Sequence, residues 1–134
     1  MRYLCVILFS IMLIGCSNDD DNNNNTVNTE QIQGKWSLVN VSGGFAGVDQ
    51  DIEKGLIEWD FNSDTGMVTI TNTITDSSFN TILPSGMYSY SISAPADADD
   101  LIVNDVNLGR INFENTSFTV QETLVDGFTF RFER

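Results

Sequence analysis

The chain contains no histidine at all. Without an imidazole it cannot use Ser-His-Asp catalysis or a histidine-ligated zinc site. It has only two cysteines, Cys5 and Cys16, and no glycine-rich loop of the kind that holds phosphate. We therefore interpret the protein as a non-enzyme, and we expect neither a cofactor nor a metal centre.

Basic residues are also scarce, since only six Lys or Arg stand against 19 Asp or Glu. All of the acidic residues follow Cys16, whereas Arg2 precedes it. A chain that begins at Cys16 has five basic and 19 acidic side chains, a net charge of −14. Such a surface is expected to bind no nucleic acid through phosphate contacts. It is not attracted to anionic lipid headgroups either, so contact with a membrane has to come from an anchor.

The N-terminal segment begins with Arg2 and continues as an apolar run over residues 3–15. This run is shorter than the roughly 20 residues that a membrane-spanning helix needs. A basic start, a short apolar run and a small residue predict a secretory signal peptide at residues 1–15. The end of the run, Leu13-Ile14-Gly15-Cys16, resembles the lipobox of bacterial lipoproteins. The resemblance implies that Cys16 carries acyl chains and becomes the first residue of a membrane-anchored protein.

Residues 16–33 are predicted to form a disordered tether, because they are rich in Asn and Asp and contain almost no apolar side chain. The acidic stretch at residues 17–21 resembles the surface-export signals of lipoproteins in Bacteroidetes-type bacteria. The alternative is that these charges only keep the tether soluble. We therefore expect a lipid-anchored outer-membrane protein, exposed either to the periplasm or at the cell surface.

Residues 34–134 show period-2 alternation broken by turn signals, which indicates a single all-β domain. One-turn helices are expected only at residues 29–33 and 49–54. Short adjacent strands without a crossover helix predict an antiparallel, up-and-down, eight-stranded barrel, with a two-sheet sandwich as the alternative. The predicted strands are residues 35–41, 55–62, 67–75, 87–93, 101–106, 110–114, 117–124 and 128–133, with turns at 62–66, 107–109 and 126–127.

The first predicted strand begins with Gly34-Lys35-Trp36, which resembles the Gly-x-Trp motif of lipocalins. The order of strands over residues 32–134 is similar to that of the lipocalin-like (calycin) domains of bacterial lipoproteins. The resemblance implies that Gly34 and Trp36 help to close one end of the barrel. It also implies that an arginine of the last strand, Arg131 or Arg134, packs over the Trp36 ring.

The predicted interior is rich in aromatic rings, so it is either filled by side chains or has room for one small ligand. The tyrosine hydroxyls favour a ligand, because each needs a partner when buried. We expect a monomeric, lipid-anchored protein whose barrel binds a small hydrophobic ligand. The alternative is a filled barrel that presents its loops to a protein or glycan. The predicted interior residues are Trp36, Ile57, Trp59, Phe61, Val68, Ile70, Tyr88, Tyr90, Ile92, Phe113, Phe118, Val120, Phe128, Phe130 and Phe132. Those expected to line a ligand are Trp59, Tyr88, Tyr90 and Phe130.

The carboxylate side chains suggest two further functions, acid–base catalysis and calcium binding, for which the sequence gives weaker support. Glu58 and Asp60 share a strand face and could form an acid–base pair, although a solvated outer surface is the simpler interpretation. Two acidic clusters could supply oxygen ligands to calcium, but neither has EF-hand spacing. These clusters are Asp49, Asp51 and Glu53, and Asp97, Asp99 and Asp100. Phe45 and Phe79, in the two longest loops, are expected to anchor those loops into the core.

Replacement of the proposed lipidation residue tests the lipoprotein hypothesis. We expect Cys16→Ala to accumulate as a larger precursor, because neither acylation nor cleavage can then occur. Metabolic labelling with a fatty acid, followed by electrophoresis, measures both effects. A Cys16→Ala protein that still incorporates the label would overturn the assignment, and Cys5→Ala is the matched control that should be processed normally.

Overall fold

The structure, a computed structural model, describes residues 29–75, 82–93 and 99–134, which form one short helix and nine strands. The predicted signal peptide, Cys16, Phe79 and Asp97 lie outside these residues. No helix in the described ranges is long and apolar enough to cross a membrane. The elements are α1 (Thr29–Ile32), β1 (Gly34–Gly43), β2 (Val48–Asp51), β3 (Ile57–Asn62), β4 (Met67–Asn72), β5 (Gly86–Ser93), β6 (Asp100–Val103), β7 (Val106–Glu114), β8 (Ser117–Gln121) and β9 (Phe128–Glu133).

The sheet is antiparallel and closed, as the sequence predicted. Strands β3 to β9 pair in chain order, and β1 pairs with both β3 and β9 to complete an eight-stranded ring. The ninth strand, β2, is an addition to this ring. It pairs with the second half of β1, beyond the end of β3, where Asn40 to Gly43 face Asp51 to Val48.

Two local predictions were wrong. The helix expected at residues 49–54 is replaced largely by β2, because β1 extends past β3 and offers a free edge that residues 48–51 occupy. The turn expected at residues 107–109 lies instead at Asn104 and Asp105, whose φ angles are 52° and 62°. Two successive positive φ angles are typical of the tight hairpin turn that matches the strand twist, and Asn and Asp tolerate them.

Gly109 lies inside β7 rather than in a turn. The register between β6 and β7 shifts there, so that Leu101 pairs with Gly109 and Ile102 pairs with Asn107. Because of this bulge, both Leu108 and Ile111 are buried although they lie three positions apart, an odd spacing that would put them on opposite faces of a regular strand. A similar irregularity in β1, between Leu38 and Asn40, places Val41 in the interior.

The barrel interior is the hydrophobic core. Every residue of the predicted interior set is buried or partly buried against it. The sequence prediction omitted eight further buried residues. They are Ile32, Leu38, Val41, Ile52, Leu101, Val103, Leu108 and Ile111.

The two ends of the barrel differ. The sealed end, as we call it, carries α1, the turns at 63–66 and 115–116, and Arg134. Ile32 of α1 is fully buried there, so packing of the domain already begins before Gly34. The loop end carries the turns at 44–47, 104–105 and 122–127 and the described parts, 73–75 and 82–85, of the connection between β4 and β5. The connection at 52–56 runs beside the middle of β1, because Ile52 N–H donates to the Val39 carbonyl oxygen and Lys54 Nζ donates to the Arg134 carbonyl oxygen. In the sealed end, Gly66 has the left-handed conformation (φ 64°) that the sequence predicted for the turn after β3.

The bulge at Gly109 provides a test of the barrel register. A Cβ atom at this position would lie 2.1 Å from the Gln121 carbonyl oxygen, and φ is +117°. Gly109→Ala should therefore destabilise the domain by about 2–4 kcal/mol, measured by urea unfolding. Gly47→Ala is the matched control, because φ is +66° there but nothing lies within 4 Å of the added atom. It should lower stability by only about 1 kcal/mol, and equal losses for the two variants would contradict the bulge.

Candidate functional site

The sealed end is held by contacts around Trp36. Its indole Nε1 donates a hydrogen bond to the Ile32 carbonyl oxygen at 2.7 Å. The guanidinium carbon of Arg134 lies 4.1 Å from the centre of the Trp36 ring. The same guanidinium donates to the carbonyl oxygens of Gln31 at 3.3 Å and Gln33 at 2.5 Å. These contacts tie the beginning and the end of the domain together over one ring.

Arg134 is thus the arginine over the tryptophan, and Arg131 is not. Arg131 extends from the outer face of β9 and forms an ion pair with Glu133 at 2.8 Å. Gly34 belongs with Trp36 to the Gly-x-Trp motif noted in the sequence. It is the first residue of β1, with φ +97°, and pairs with Phe61 of β3. The positive φ angle explains why the chain has a glycine where α1 ends and β1 begins.

Above Trp36 the interior is filled by contacting aromatic rings. The Trp36 ring meets Phe118 edge-on, with 4.8 Å between the ring centres. Phe118 stacks on Phe132 at 4.6 Å, and Phe132 meets Trp59 at 5.3 Å. Aromatic pairs at such separations each contribute about 0.5–1.5 kcal/mol beyond burial. This part of the barrel is therefore a packed core that side chains occupy.

The four residues expected to line a ligand occupy different positions. Trp59 and Tyr90 both contact the ring of Phe61, at 5.9 Å and 5.0 Å. Phe130 is buried and contacts Phe128, whose own position is nearer the loop end. Tyr88 is partly buried, and its hydroxyl donates to the Pro84 carbonyl oxygen at 3.0 Å. The structure brings Trp59 and Tyr90 together through Phe61, whereas Tyr88 and Phe130 lie towards the loops.

Tyr90 is the unusual member of this set. Its side chain is 7% exposed, and its hydroxyl oxygen has less than 1 Å² of accessible surface. That oxygen has no hydrogen-bond partner among the residues that the structure describes. Burial raises the pKa of the Tyr90 phenol above its ordinary value, so the hydroxyl stays protonated. A buried donor without a partner costs about 1–3 kcal/mol, and such groups call for a functional explanation.

The loop end has an apolar rim. Leu56, Ile74, Ile82, Leu83 and Phe128 are partly buried there and pack against the core. A further three apolar side chains, which we call the tip residues, are strongly exposed. These are Phe45 at 94%, Leu124 at 74% and Val125 at 101%.

The tip residues lie on two adjacent connections, because Gly44 N–H donates to the Gly127 carbonyl oxygen across them. The expectation that Phe45 anchors its loop into the core is therefore wrong. A glycine occupies the position next to it, and the Phe128 ring covers Gly44, which leaves Phe45 directed outward.

The carboxylates on the outer face are engaged with neighbouring side chains. Glu58 forms an ion pair with Lys35 at 3.2 Å. Asn40 Nδ2 donates to both Asp49 and Asp51, at 3.0 Å each. Within residues 29–75, 82–93 and 99–134, no three or more His, Cys, Asp or Glu side chains come together in a way that could hold a metal ion.

Comparison of the chain with protein-family models, with curated proteins and with solved structures finds no match in any of the three. The function therefore has to be argued from the residues themselves.

The contribution of Arg134 to the stability of the sealed end can be tested with Arg131, which lies on the outer face of β9, as the control. Arg134→Met should lower the free energy of unfolding by about 1–2 kcal/mol, because it removes a ring contact and two charged hydrogen bonds. Arg131→Met should change it by less than about 0.5 kcal/mol, since that ion pair is solvent-exposed. Urea unfolding followed by tryptophan fluorescence measures both. Similar losses for the two variants would show that Arg134 does not hold the sealed end.

Proposed function

We propose that this chain is a lipid-anchored outer-membrane protein whose lipocalin-like barrel binds a small apolar ligand through its loop end. The lipobox-like sequence ending at Cys16 supports the anchor. The Gly34 and Trp36 motif, with an arginine over the tryptophan ring, supports the likeness to lipocalins. The observation that supports the proposal is the asymmetry of the barrel ends in the described residues, because one end is covered by α1 and Arg134 whereas the other carries partly buried apolar side chains.

Among the described residues the sealed end is closely packed. Ile32, the last residue of α1, is fully buried, and Trp36, Phe118 and Phe132 fill the space above it. At the loop end, by contrast, apolar side chains remain only partly buried around the rim. Apolar walls with a few placed polar groups are typical of small-molecule sites, and in small barrels these sites open at the mouth.

The position of α1 also favours the loop end as the end of the barrel that binds the ligand. The chain that leads back to Cys16 leaves the domain at the sealed end, where α1 begins. Residues 17–28 can extend at most ~40 Å. In an anchored domain the tether therefore joins at the sealed end and leaves the loop end free of the attachment point, where a ligand in solution or at another surface is accessible.

The second candidate function is an interaction module that presents its loops to a protein or glycan. The observation that favours it is the exposure of the tip residues Phe45, Leu124 and Val125 on adjacent connections. Monomeric proteins rarely expose such a cluster without a use for it. In this alternative the aromatic interior serves only as a scaffold.

Native mass spectrometry of the purified chain distinguishes the two functions. A chain of residues 17–134 contains every buried core residue of the described structure and lacks the anchor. Expressed in a Gram-negative host, it should carry an added mass of a few hundred daltons that organic solvent extracts. An unmodified mass under gentle ionisation, together with no uptake of added hydrophobic molecules, would contradict ligand binding and favour the interaction module.

A further inference from the structure

The tip residues Phe45, Leu124 and Val125 form an apolar projection at the loop end, because all three side chains are strongly exposed. We propose that the tip residues insert into the headgroup layer of a lipid bilayer whose lipids carry no net charge, as phosphatidylcholine does. This membrane contact is distinct from the proposed ligand binding, and it does not require that the barrel holds a ligand.

Two short turns build the tip. Residues 44–47 and 124–127 are each closed by a hydrogen bond from the last N–H to the first carbonyl oxygen, at 3.0 Å and 3.1 Å. Phe45 and Val125 are the second residues of these turns. A further bond, at 3.3 Å, joins the first N–H of one turn to the last carbonyl oxygen of the other. The backbone therefore holds the two turns side by side, and their apolar side chains project from the barrel at one point.

The size of the tip favours a lipid bilayer over a protein partner. Three exposed side chains of this kind present roughly 500 Å² at most, whereas a stable protein interface buries about 800 Å² on each partner. A projecting tip also requires a protein with a recess of matching shape. A fluid bilayer adapts to the side chains that enter it, so a few apolar residues are enough for a reversible contact.

The charges around the tip favour lipids without net charge. Residues 44–47 and 122–127 contain no Lys or Arg, but they contain two acidic residues, Glu122 and Asp126. Anionic headgroups would meet these carboxylates with no basic residue of the two connections to offset the repulsion. A zwitterionic headgroup avoids this repulsion, and its ammonium group carries the charge that complements the carboxylates.

The proposed lipid anchor makes so small a contact effective, a step that rests on the proposed lipidation of Cys16. Residues 17–28 reach at most ~40 Å, whereas a strand of ten residues, such as β1, is roughly 33 Å long. An anchored domain can therefore turn its loop end towards the bilayer that holds the anchor. Insertion of the tip is then an intramolecular step, which raises its effective concentration.

Vesicle binding tests the tip directly. The chain of residues 17–134 lacks the anchor, so its binding reports the domain alone. We expect it to co-sediment with phosphatidylcholine vesicles, and to bind more weakly when half of the lipid is anionic phosphatidylglycerol. Phe45→Ser should lower the partition coefficient about 10-fold, because it removes one large apolar side chain from the inserted set.

Met87→Ser is the matched control. Met87 is also an exposed apolar residue, at 66%, but it lies on β5, three strands away from β1 in the ring. Its side chain stays in water in the proposed contact, so the partition coefficient should change by less than about 2-fold. Urea unfolding of Phe45→Ser should give the wild-type midpoint, because this exposed side chain packs against little of the domain. Val125→Ser, at the other turn, is the second variant and should also weaken binding.

Each outcome bears on a different part of the inference. If the wild-type chain does not bind phosphatidylcholine vesicles, the membrane contact is wrong and a protein or glycan partner for the tip is favoured instead. If it binds but Phe45→Ser and Val125→Ser bind equally well, the tip residues are not the contact. If phosphatidylglycerol strengthens binding, the class of lipid is wrong. None of these results decides whether the barrel binds a ligand, which native mass spectrometry tests separately.

Discussion

The structure depends on the pairing of β1 with β9, which closes the sheet. Leu38 faces Phe132 and Val41 faces Phe130 across this seam, so closure also brings together the side chains of the core. An open sheet of the same strands would expose two edges to other chains and one apolar face to water. Because the first and last strands of the domain form the seam, the barrel can close only when the whole domain is present.

The seam also explains why the two ends of the barrel differ. Arg134 follows β9 and Gln33 precedes β1, so closure places the arginine beside the carbonyl oxygens of α1 and over Trp36. That end is thereby covered by a helix, a ring and a cation. In the described residues of the other end, no cation covers a ring, and several apolar side chains remain partly exposed. The two ends of the barrel therefore differ because the first and last described segments, α1 and Arg134, meet at one of them.

Much of the fold could be predicted from the sequence, because apolar and polar side chains alternate regularly wherever a strand has no bulge. Trp59 and Phe61 in β3, and Val68 and Ile70 in β4, are buried as their period of two indicates. This alternation fails at a bulge, where an extra residue moves the following side chains to the opposite face of the strand. It therefore does not predict that Val41 and Leu108 are buried.

The candidate site was less predictable than the fold. Trp59, Tyr88, Tyr90 and Phe130 were all named from their alternation, but alternation says only that a side chain faces inward. Whether a hydroxyl finds a partner depends on the tertiary position of every neighbouring acceptor. Tyr88 finds the Pro84 carbonyl oxygen and Tyr90 finds none in the described residues, a difference that no local pattern encodes. The exposure of Phe45 likewise depends on Phe128, which is far away in sequence.

The central claim is that the two ends of the barrel differ, so that a ligand enters at the loop end and leaves the sealed end undisturbed. Nuclear magnetic resonance of ¹⁵N-labelled chain, titrated with the methyl ester of cis-parinaric acid, tests this claim most directly. The backbone amide signals of Phe128 and Phe130 at the loop end should shift, while the indole N–H signal of Trp36 should stay in place. Shifts confined to Trp36 and its neighbours at the sealed end, with Phe128 and Phe130 unaffected, would contradict the claim.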